Sequence, residues 1–199
     1  MSQAAPGPHH GPNGLDGPRG AGRLFLACFF SIFATSSAFT VRAMVITEWG
    51  TTFNLSEAQK GAIFPGAALF PFAISIVLFS LFIDRLGYGK TMAFAVVAHL
   101  LGTIVTIAAS TVAMAAAVAA GPEAAASAAS RAYQFLYFGT LITSLANGAV
   151  EAVANPVTAT LYPRHKTHYL NILHAGWPGG LVAMGVVTLL MGTGVSWEW

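Results

Sequence analysis

The chain has 199 residues, of which 55% are hydrophobic and only 8% charged, with a mean hydropathy of +0.67 and a formal net charge of +2. Soluble globular domains carry roughly 25% charged residues, so this composition excludes a water-soluble domain and describes a multi-pass membrane protein with no basic patch for nucleic acid. Cys28 is the single cysteine and lies inside the first apolar run, which excludes a disulfide framework and any CxxC metal or redox pair and leaves it a lipid-facing or packing role.

Residues 1–22 are rich in Gly and Pro and have too little apolar surface to offset the entropy of ordering, so they read as a disordered tail. Residues 23–199 form a single helical unit. A first apolar run covers about residues 24–46, longer than the roughly 20 residues that cross a bilayer. A second covers about 61–83, with Pro65 and Pro71 early in it, and prolines inside membrane helices often mark a bend. A third covers about 91–118. Glu123 to Ala132 reads as a short surface helix or loop, and a fourth run follows over about 133–158. The fifth covers about 170–192, and its Gly176, Pro178, Gly179 and Gly180 favour a kink, local unwinding or close helix approach.

Five spans are therefore predicted, all helical. Arg19 and Arg23, Arg85 and Lys90, and Arg164 and Lys166 fall on alternate loops. By the positive-inside rule the N-terminus is cytoplasmic, in the cell (inner or plasma) membrane. The sequence Gly89-Lys90-Thr91 ends like a phosphate-binding loop, but the glycine that such a loop needs five positions earlier is Asp84 here. His165 and His168 have metal-ligand spacing, yet Arg164 and Lys166 surround them, so no metal is expected.

An ionisable residue inside a span is costly enough to point to function. The fourth run holds Glu151, and at 100° per residue Thr140, Ser144, Asn147, Glu151, Asn155 and Thr158 share one face. Leu141, Leu145, Ala149 and Ala152 occupy the opposite face. A stripe of this kind suits a water-filled path. In the first run Arg42 lies about 10 Å outside the middle of its span, while Glu151 lies about 8 Å towards the cytoplasm, too far apart for an ion pair. His174 matches the depth of Glu151, and a carboxylate with an imidazole suits a proton-coupled cycle. Trp177 can stack on a sugar ring. Plainer alternatives are a structural hydrogen bond for Glu151, an interfacial one for His174, an anchoring role for Arg42 and simple space filling for Trp177.

The turn between the second and third runs, Asp84-Arg85-Leu86-Gly87-Tyr88-Gly89-Lys90, resembles the cytoplasmic loop of the major facilitator superfamily, whose pattern is roughly Gly-x-x-x-Asp-Arg-x-Gly-Arg-Lys. Asp84, Arg85, Gly87 and Lys90 match it; Ser80 replaces the leading glycine and Tyr88-Gly89 the usual basic residues. Gly148 to Pro156, followed by Leu170-Asn171 and the glycine-rich helix, is similar to the fucose and hexose proton-symporter branch. That resemblance implies an all-α fold equal to five helices of a six-helix N-terminal half. It implies a secondary transporter that moves a small polar solute, a sugar, by alternating access coupled to protons, with no other cofactor and no enzymatic activity. By that resemblance Glu151 takes the proton-coupling role and Asn155 a hydroxyl contact; Asn147, Asn171, His174, Arg42 and Trp177, by their places in the chain, are expected to make up the rest of the cavity. Asp84, Arg85, Gly87 and Lys90 gate it. The branch's first-span aspartate has no counterpart here. The family works as two six-span halves, so a second half is an expected partner beside the lipid bilayer, and the end at Trp199 reads as a truncation before a sixth span. The alternative is a non-transporting sensor or assembly module that keeps half of a transporter fold.

Overall fold

The computed structural model of the chain describes residues 18–117 and 122–191. Most of the expected tail and the expected start of a sixth span lie outside the described residues. Within them the backbone is almost entirely helical and holds no strand. Helix α1 (Ala21–Thr52) starts after Gly20, whose φ of 85° turns the chain, and it stops where the Phe53 N–H returns to the Trp49 carbonyl. Helix α2 (Glu57–Gly61) opens on a reciprocal cap. There the Gln59 N–H donates to Ser56 Oγ at 3.2 Å and the Ser56 N–H donates to Gln59 Oε1 at 2.9 Å, satisfying two donors that a helix start leaves free.

The chain then widens into a π-helical segment, Ala62–Leu69, and continues as α3 (Phe70–Leu86). Pro65 has no N–H to give to the preceding turn, and its carbonyl accepts from Phe70 five residues on, the wider spacing of a π-turn. The prolines therefore alter the winding without ending the span, which runs unbroken over Glu57–Leu86. Helices α4 (Tyr88–Ala117), α5 (Pro122–Leu161) and α6 (Lys166–Met191) complete the bundle. Residues 123–132, expected as a separate surface piece, are the first turns of the 40-residue α5.

Among the described residues, four helices are long and apolar enough to cross a membrane: Ala21–Thr52, Glu57–Leu86, Tyr88–Ala113 and Lys166–Met191. α5 is long enough but is not in that set, because its polar stripe dilutes its hydropathy. Its position explains how it carries that stripe. α5 packs against α4, α3, α1, the π-helical segment and α6, whereas α1 pairs mainly with α6. Phe70, Val97, Leu100, Leu189 and Leu190 are exposed on the outside of the bundle, as lipid-facing side chains are.

Between helices in lipid, apolar burial supplies little drive and close backbone approach supplies more. The glycines serve that purpose. A Cβ on Gly102 would come within 2.8 Å of the Gly139 carbonyl, and one on Gly139 within 2.8 Å of the Thr106 nitrogen, so α4 and α5 interlock through this pair. Gly148 leaves room for Ser75 of α3, and Gly176 and Gly180 leave room for Phe29 and Phe33 of α1. α6 is helical straight through Pro178, so its glycines work as packing surface.

Two apolar cores result. Phe25, Cys28, Ile32, Ala149, Val150, Ala154, Tyr162 and Leu173 form one, near the start of α1; Val45, Trp49, Phe53, Ile63, Ala132 and Leu136 form the other, near its end. Cys28 is thus a packing residue. Thr35, Ser36, Ser37, Thr140, Thr143, Ser144, Asn147 and Glu151 are also buried, a polar middle enclosed by helices.

Candidate functional site

The polar stripe of α5 is parcelled out among different neighbours. At its upper part Ser144 Oγ donates to the Ala68 carbonyl of the π-helical segment at 2.7 Å, while Ser75 Oγ of α3 donates to the Leu145 carbonyl at 2.7 Å. Four residues after Asn147 the stripe opens into a cavity of about 330 Å³ lined by Phe72, Ile76, Glu151, Asn155, His174 and Trp177. α3, α5 and α6 each contribute a pair of these residues.

Glu151 is 8% exposed. Asn155, one turn on, donates from Nδ2 to Glu151 Oε2 at 3.0 Å and to the Glu151 carbonyl at 3.1 Å. That leaves Asn155 Oδ1 buried with no donor among the described residues. His174 of α6 lines the same cavity as Glu151. Phe72 and Trp177 stack with centroids 5.4 Å apart and planes 11° apart, and Phe39 of α1 meets both, at 5.2 and 5.5 Å. The cavity thus has an acidic and amide pole, an imidazole and an aromatic wall. Small-ligand sites combine a largely apolar lining with a few convergent polar groups in this way, usually in volumes of about 300–1,000 Å³.

Of the residues expected from sequence, Glu151, Asn155, His174 and Trp177 come together here. Asn147 does not line the cavity: its Oδ1 lies 2.7 Å from His99 Nε2 of α4. His99 Nδ1 lies 2.7 Å from the Ala95 carbonyl, which can only accept, so Nδ1 carries a proton. Nε2 then donates to Oδ1 in the charged ring, or accepts from Nδ2 if the amide is turned over. Arg42 also lies apart, donating from Nη2 to Thr143 Oγ1 at 2.9 Å and from Nη1 to the Ala38 carbonyl at 3.1 Å. Asn171 is exposed one turn before His174. Asp84 and Arg85 end α3, Lys90 begins α4, and Gly87 alone joins the two helices, with all four exposed. The phosphate-loop look-alike Gly89-Lys90 is the first turn of a helix.

Sequence reasoning passed over His99, Phe72 and Phe39. His99 was open to the rule that singled out Glu151, as an ionisable group inside a span. The two phenylalanines carried no signal, since nothing in the order of residues separates an apolar ring on a cavity from one on lipid. Comparison with protein-family profiles, characterised proteins and solved structures finds no match to this chain.

Proposed function

We propose that the chain forms part of a secondary transporter of the major facilitator type, moving a small polar solute, a sugar, by alternating access coupled to protons. The observation that carries this reading is the buried Glu151 beside Asn155 and His174 in an open cavity faced by Trp177, in a bundle of membrane-length helices. A carboxylate held among apolar helices is costly unless it is used, and one beside an imidazole can take up and release a proton. Asn155 Oδ1 suits a solute hydroxyl as donor. Trp177 offers a flat face to a sugar ring.

On this reading α5 is the fourth of five spans, sheltered from lipid by the helices around it, and the N-terminus and the α3–α4 junction face the cytoplasm by the distribution of Lys and Arg. Asp84, Arg85 and Lys90 then act as the cytoplasmic gate, and a second helical bundle completes the cavity wall. The test is solute-driven proton uptake by the intact protein in proteoliposomes. Glu151→Gln is expected to reduce it to background with abundance and thermal stability close to wild type. Proton uptake equal to wild type in that variant removes Glu151 from the mechanism.

A further inference from the structure

Arg42 takes no part in the Glu151 cavity, yet it is the most conspicuous charge inside the bundle. It sits about 8 Å from the midpoint of α1 towards its C-terminal end, counting 1.5 Å per residue, well inside the roughly 30 Å hydrocarbon core. Its guanidinium is a cation at neutral pH. The partners it has among the described residues are both neutral, the Thr143 hydroxyl and the Ala38 carbonyl, and its Nε is buried with no acceptor among them. Among the described residues the one salt bridge joins Glu57 and Lys60 at 2.5 Å, so no carboxylate offsets Arg42.

Its location relative to the cavity is equally specific. Arg42 follows Phe39 by three residues on α1, and Phe39 belongs to the aromatic trio with Phe72 and Trp177. Thr143, which holds Arg42, precedes Glu151 by eight residues, about 12 Å along α5. Arg42 is thus one turn past Phe39 on α1, while Glu151 shares its cavity with Phe72 and Trp177. The planar fork of Nε with a terminal nitrogen matches the two oxygens of a carboxylate. Neutral acceptors satisfy such a fork only in part.

We propose that Arg42 is an anion-binding station beyond the aromatic trio, and that the solute is a carboxylated sugar, a sugar acid. The passage of that solute rests on the transporter reading; its binding does not. D-glucuronate and D-glucose, alike but for the carboxylate, are the probes, and the intact protein is assayed for thermal stabilisation in detergent and for uptake in proteoliposomes. Glucuronate is expected to stabilise the protein at concentrations at least about tenfold below glucose. Arg42→Gln is expected to remove that advantage by tenfold or more while leaving its own melting temperature near wild type, and Arg42→Lys to keep part of it. Glucuronate stabilisation that depends on Arg42, without uptake of either sugar, supports the station and sinks the transporter reading. Uptake of glucose with no response to glucuronate overturns the station and leaves the transporter standing. No response to glucuronate in either assay also overturns it, as does an Arg42→Gln variant that keeps the full glucuronate response. An Arg42→Gln variant that merely melts earlier, with the preference intact, reduces Arg42 to a tether between α1 and α5.

Discussion

His99, half-buried, and Asn147, buried, show how a polar pair is held between two membrane helices. His99 is fixed at both ring nitrogens, by the Ala95 carbonyl of its own helix and by the Asn147 amide of α5. Removing His99 leaves the Asn147 amide buried and without this partner, whereas removing both leaves an apolar contact. His99→Leu is expected to lower stability by about 1–3 kcal/mol, and the double variant His99→Leu with Asn147→Leu to recover part of that loss in thermal unfolding. Additive losses would show that the two side chains do not rely on each other. Gly148 makes a steric prediction at the same scale. A Cβ there falls 2.5 Å from Ser75 Cβ and 2.7 Å from the Ile76 nitrogen, so Gly148→Val must push α3 from α5. The expected cost is about 1–3 kcal/mol or more, read as an earlier melting transition; a wild-type melting curve would contradict this close approach. Glu151 was legible in the sequence because a carboxylate in an apolar run stands out by chemistry alone. Its aromatic neighbours were not, because Phe39, Phe72 and Trp177 come from three helices and meet only in the packed bundle.

Among the elements, the α3–α4 junction is the tightest. Gly87 joins the two helices alone, with φ 81° and ψ 144°, a backbone region essentially confined to glycine. Its N–H donates to the Ile83 carbonyl at 2.7 Å, and its own carbonyl accepts from the Thr91 N–H at 3.2 Å and from Thr91 Oγ1 at 3.0 Å. Nothing lies within 4 Å of an added Cβ, so the cost of a side chain is backbone strain alone. Gly87→Ala is expected to destabilise by about 1–3 kcal/mol. Gly87→Asn should give no relief, since asparagine tolerates the left-handed helical region near ψ +47° and not this one. An alanine variant with unchanged melting would show that the junction relaxes freely. Apolar periodicity and length foretold the helices, but not that the second would run through a π-helical segment or that α5 would absorb residues 123–132. Both depend on which carbonyls and donors neighbours satisfy, and no local pattern reports that.

At the scale of the whole molecule, the proposed orientation makes a labelling prediction. Thr52 and Lys90 are exposed at opposite ends of the bundle, and the sole cysteine, Cys28, is buried. In a Cys28→Ala background, Thr52→Cys should react with a membrane-impermeant maleimide in intact cells, and Lys90→Cys only after permeabilisation. The reverse pattern would invert the topology and move the Asp84 junction outside. Composition by itself determined the solvent: with 8% charged residues the chain cannot cover a water-facing surface, so apolar helices of membrane length follow. It also located a carboxylate at Glu151, because a charge among apolar residues is visible without any structure. Only the tertiary structure divided the α5 stripe, giving Ser144 to the π-helical segment, Asn147 to His99 and Glu151 to the cavity with His174 and Trp177. Helical periodicity states which residues share a face; which neighbour each one meets depends on helices distant in sequence, brought together by glycine contacts whose fit exists only between packed backbones.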